Sequence, residues 1–141
     1  MSRAGEESNR RLLRARDAID RDFAEPLDVA TLARVAHVAE AHFIRTFRAT
    51  FGETPHRYLQ RRRVERAMFL LRETDRSVTE ICLDVGFNSR GSFSRTFSEI
   101  VGEPPSAYRL RRDMRVGNHL RIVEPATGPI VAPDPSEFAS G

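Results

Sequence analysis

Lysine and tryptophan are absent from this 141-residue chain, and cysteine occurs once, as Cys82. A lone thiol cannot close an internal disulfide, which agrees with a reducing compartment. The four histidines (37, 42, 56 and 119) show no metal spacing, and neither CxxC nor HxxxH occurs. No Ser/His/Asp arrangement and no phosphate-binding glycine loop is visible. These absences point away from an enzyme and from any metal or cofactor. No apolar run approaches the ~18 residues of a spanning helix, and the Arg-bearing start lacks a signal-peptide core. The expectation is a cytoplasmic protein without membrane contact.

What replaces lysine is arginine, which supplies all 23 basic residues. Up to Arg112 there are 21 arginines against 16 acids; beyond it, 2 against 4. The densest stretch, Arg45 to Arg66, holds 7 arginines against Glu53 and Glu65. Such a band suits a polyanion, because the planar guanidinium fork matches phosphate and guanine; solvated helix faces can be equally rich in arginine. Arg61, Arg62, Arg63 and Arg66 are candidates for phosphate contact.

A repeat organises the chain. F-I-R-T-F-R-A-T-F-G-E-T-P (Phe43 to Pro55) and F-S-R-T-F-S-E-I-V-G-E-P-P (Phe93 to Pro105) are identical at 7 of 13 positions. Around each copy the punctuation of helices recurs. Ser8 is a candidate N-cap for a first helix ending before Pro26, with Leu12, Leu13, Ala15, Ile19 and Phe23 inward. Asp28 and Ser77 can cap short second helices, with breaks at His37 and Gly86. Gly52 and Gly102 sit where helix-ending glycines sit, and Thr54-Pro55 opens a long helix to about Glu73. Tyr58, Val64, Ala67, Leu70 and Leu71 are its inward residues. The pattern predicts an all-α fold: a seven-helix bundle of two helix-turn-helix subdomains (about 28–52 and 77–102) joined by a linker helix, 55–73. The domain spans 8–112. Residues 113–141 read as a flexible tail, whose last stretch from Glu124 has four prolines and no helical period.

In a helix-turn-helix the second helix enters the DNA major groove. With Phe43 and Phe47 directed at the core, 100° per residue turns Ala41, Arg45 and Arg48 outward, flanked by His42 and Ile44. The repeat offers Gly91, Arg95 and Ser98, flanked by Ser92 and Ser94. The 19-residue linker is about 28 Å long at 1.5 Å per residue. Successive major-groove openings on one face of B-DNA lie ~34 Å apart, so one chain can set two helices into adjacent openings.

The runs R-V-E-R-A-M-F-L-L, S-V-T-E-I-C-L-D-V-G-F and S-F-S-R-T-F-S-E-I-V-G-E-P-P-S-A-Y-R resemble the AraC/XylS family of bacterial transcription regulators, from about Leu12 to Arg112. The resemblance implies base contacts from Arg90, Gly91, Ser92, Ser94 and Arg95 in the second half. In the first half it implies Ala41, Ile44, Arg45 and Arg48, with Glu40 where the helix begins. Ala41 and Ile44 can read only a thymine methyl or fill space, and Glu40 can accept only from a cytosine amino group. The second helix is therefore expected to discriminate more sharply. His37 stands where the second half has Gly86, and histidine tolerates left-handed backbone better than most residues. The single cysteine excludes the methyl-accepting zinc module of some relatives. The resemblance also implies double-stranded DNA as partner, activation through RNA polymerase, and binding as a monomer or weak dimer. Two other readings stay open: a protein-interaction module on the same fold, and the DNA-binding fragment of a larger ligand-sensing regulator.

Overall fold

The computed structural model describes residues 3–115. Six helices are bounded within them: α1 (Arg3–Asp22), α2 (Val29–Val35), α3 (Glu40–Phe51), α4 (Pro55–Glu73), α5 (Val78–Asp84) and α6 (Arg90–Val101). A seventh, α7, occupies 105–115. No strand occurs among the described residues, so the fold is all-α as the periodicity predicts. None of the helices is long and apolar enough to cross a membrane.

The helix ends follow local chemistry. Asp28, Thr54, Ser77 and Ser89 each accept a backbone N–H in the first turn of α2, α4, α5 and α6. Ser77 and Glu80 form a reciprocal capping box, which satisfies two otherwise orphaned donors. Gly52 (φ 82°) and Gly102 (φ 98°) end α3 and α6 in the left-handed conformation that glycine adopts without steric cost. α1 begins at Arg3, ahead of the expected cap Ser8. Glu7 explains the extension, because Arg10, Arg11 and Arg14 all pair with it along the first turns. Leu13, expected inward, is 40% exposed: it lies off the stripe of Leu12, Ala15, Ala18 and Ile19. α7 runs past Arg112 to 115, so the first residues assigned to the tail are helical; the remainder of 113–141 lies outside the described residues.

The buried side chains form two clusters. Leu12, Ala15, Ile19, Leu32, Ala36, Phe43, Phe47 and Leu59 close the first. Val64, Ala67, Leu71, Ile81, Val85, Phe93 and Phe97 close the second. The closely packed helix pairs lie within one half or involve α4, whose Leu59 serves one cluster and Val64 the other. The repeat extends to ring geometry. Phe43 meets Phe47 and Phe47 meets Tyr58 edge-on at 5.6 and 5.9 Å. Phe93, Phe97 and Tyr108 reproduce this at 5.7 and 5.7 Å.

Candidate nucleic-acid interface

α3 and α6 are the second helices of the two helix-turn-helix units, and each buries its Phe pair completely. Their opposite faces are therefore turned to solvent. On α3, Glu40, Ala41, Arg45 and Arg48 are exposed and Ile44 is half-buried. On α6, Arg90, Gly91 and Arg95 are exposed, while Ser92 and Ser94 are half-buried. Arg45, Arg48 and Arg95 have no ion pair or hydrogen bond among the described residues. Arg90 reaches back to Thr79 Oγ1 of α5 at 3.4 Å. The expected residues thus gather on two outward faces, with unpaired guanidinium groups on both.

The two turns differ. The first holds His37 at φ 59° and the second Gly86 at φ 101°, so the left-handed position recurs with different residues. The helices that follow also start differently. Ser89 Oγ accepts from Ser92 N at 3.1 Å, whereas Ala39, in the same extended conformation, has no side chain to offer α3. Glu40 places a carboxylate in the first turn of α3, where the positive end of the helix dipole favours it.

The arginines of α4 have a different fate from the one their density suggests. Arg61 forms a fork with Glu53 (2.7 Å to Oε2) and reaches Glu65 at 2.7 Å. Arg62 bonds Asp20 at 3.0 Å and Glu65 at 2.7 Å, tying α4 to α1. Tyr58 also donates to Asp20 at 2.6 Å; burial, followed by this hydrogen bond, pushes its phenol up to about 12. Arg63 donates to the carbonyls of Phe23 and Glu25, and Arg66 lies 4.8 Å from the centre of the Phe69 ring. Three of the four residues proposed for phosphate thus have partners within the fold. Carboxylates and carbonyls occupy all three nitrogens of Arg61 and two each of Arg62 and Arg63. Arg109 plays a comparable part, donating to the carbonyls of Leu70, Leu71, Thr74 and Arg76 where α4 ends.

Sequence reasoning weighed Arg63 only for phosphate and gave Arg109 no role. Neither leaves a local signal, since their acceptors are backbone oxygens 33–40 residues away.

Comparison with known proteins adds an independent observation. Residues 32–111 match the family described as a helix-turn-helix domain. The MmsAB operon regulatory protein of Pseudomonas aeruginosa is 35% identical over 85 residues, 60% of this chain and 28% of that protein. The crystal structure of the DNA-binding domain of AdpA, in complex with a target DNA, superposes with a TM-score of 0.70 at 33% identity. It covers 74% of this chain and 94% of that one. A transcriptional regulator with an AraC-type DNA-binding domain from Chromobacterium violaceum gives 0.67 at 30% identity, with 74% and 94% covered. The chain spans at most 37% of the length of the first curated relatives it matches.

Proposed function

The chain belongs to the AraC-type helix-turn-helix family of transcription regulators, and from that premise we propose that it binds an asymmetric promoter site as a monomer, with α3 and α6 in adjacent major grooves. The observation that carries this reading is the contrast among the arginines. Arg61, Arg62 and Arg63 of α4 are held by carboxylates and carbonyls, whereas Arg45, Arg48 and Arg95 stand unpaired, among the described residues, on the outward faces of the two recurrent helices.

Arg95 is assigned a bidentate contact to a guanine edge, and Arg90, Gly91, Ser92 and Ser94 the flanking positions. Arg45 is its counterpart on α3. Ile44 and Ala41 offer only apolar contact there, Glu40 accepts from cytosine, and Arg48 lies one turn further on. α6 is thus the sharper reader. Activation by contact with RNA polymerase, in the cytoplasm, completes the proposal.

Selection of bound sequences from a random duplex library tests it. The expected result is one asymmetric motif with two blocks about ten base pairs apart, the block facing α6 being the sharper. Absence of enrichment would overturn the reading and favour a protein-interaction role.

A further inference from the structure

The α1–α2 loop belongs to the first half and the α5–α6 turn to the second, yet they converge on one side chain. Arg63, on α4, donates from Nε to Phe23 O at 2.6 Å and from Nη2 to Glu25 O at 2.9 Å. These carbonyls lie just past the end of α1, where a helix leaves acceptors without partners and its dipole favours a cation. On its other side the same guanidinium lies 5.8 Å from the centre of the Phe87 ring. Gly86 completes the junction. A methyl group there would sit 3.0 Å from Ala24 O, 3.0 Å from Arg63 Nε and 3.1 Å from Phe23 O. The two halves therefore touch backbone to backbone, with Arg63 between them. Gln60, whose amide is 3.5 Å from Thr96 Oγ1 of α6, is a longer second tether.

We propose that Arg63 is a specificity-determining residue for half-site spacing: it rivets the α1–α2 loop and the Gly86 turn to α4 and so fixes the relative orientation of the two recognition helices without touching DNA. The inference rests on the two-groove reading above. A shared helix by itself sets a separation, but the angle between two lobes also needs contacts off the helix axis, and Arg63 with Gly86 supplies them. A rigid pair of readers tolerates little change in spacing, since each inserted base pair moves one block by ~3.4 Å and turns it by ~35°.

The test uses the full chain and has two arms. In the first, affinity is measured for the selected site with spacers altered by one and two base pairs. The wild type should lose ~5- to 150-fold for one base pair, the equivalent of one lost bidentate base contact. Arg63→Met should flatten this profile while leaving base preference within each block unchanged. The second arm needs no DNA. Spin labels at Ala49→Cys and Glu99→Cys, both exposed positions on α3 and α6, report the distance distribution in a Cys82→Ala background. A narrow distribution in the parent and a broad one with Arg63→Met supports the rivet.

Equal widths, or an equally steep spacing profile, would overturn it. Should Arg63→Met fail to fold, Arg63→Lys keeps the stem and the charge but loses the fork that reaches both carbonyls, and is read in the same way. A wild type that selects only one block would instead overturn the two-groove reading, with the label distances still deciding whether Arg63 holds the halves.

Discussion

Replacement of Arg95 by alanine separates reading from folding. The side chain is exposed on α6 and has no partner among the described residues, so its loss removes no internal contact. Stability should stay within about 0.5 kcal/mol of the wild type, as for other surface substitutions. Binding should respond differently. A bidentate guanine contact contributes about 1–3 kcal/mol of discrimination, so affinity for the selected site should drop ~5- to 150-fold. A base contact also leaves the number of neutralised phosphates unchanged, and the slope of log K against log salt should be preserved.

The assay is a set of titrations on the selected duplex and on duplexes altered at each position of the α6 block, at two salt concentrations, alongside thermal melting. Arg62→Gln is the control: it breaks pairs to Asp20 and Glu65, and should lower stability by about 1 kcal/mol or less while leaving base preference alone. A base contact by Arg95 is refuted if Arg95→Ala weakens every duplex equally and lowers the salt slope by ~1, which is the behaviour of a phosphate contact.

Other substitutions test the fold around the readers. Ala39→Ser should give α3 the cap that Ser89 gives α6, adding about 0.5–2 kcal/mol in denaturant titrations; Ser89→Ala should lose a similar amount. Gly102→Ala, with open space around it, should cost about 1–2 kcal/mol through its positive φ alone, and Gly86→Ala should cost more because its methyl group also meets Ala24, Arg63 and Phe23. Equal melting losses for the two glycines would contradict the close approach. The hydrogen bonds from the Thr31 and Ser77 backbones hold the Asp28 and Glu80 carboxyls below their ordinary values of 3.8 and 4.5. Their contribution is complete above those values and disappears as pH falls through the lower folded-state values. Asp28→Asn and Glu80→Gln should therefore reduce the loss of urea resistance between neutral pH and the acid range.

The repeat was legible because it is written in residues with local consequences. Glycines at 52 and 102, proline at 55 and caps at 28 and 77 act on their own turn, and the Phe pairs mark an inward stripe by spacing alone. Arginine carries no such mark. Arg45 and Arg61 are the same residue on similar helices, and only the fold reveals that Arg61 pairs with Glu53 and Glu65 while Arg45 has no ion pair among the described residues. The early start of α1 came from ion pairs at Glu7 rather than from the nearest cap, and Leu13 faces outward because it lies off the buried stripe. Arg63 was the hardest to see, because a backbone carbonyl leaves no trace in a side-chain sequence.

Two cores closed by separate residues also bear on descent. A substitution on the outer face of α3 disturbs neither the packing nor the chemistry of α6, so the halves of such a protein can diverge at different rates. At equivalent positions the two helices already differ, with Ala41 and Ile44 in one and Gly91 and Ser94 in the other. On the two-groove proposal, one block of an operator can drift, followed by its own helix, while the other block keeps the chain on DNA. New target sites then become reachable in single steps, without an intermediate that has lost DNA altogether.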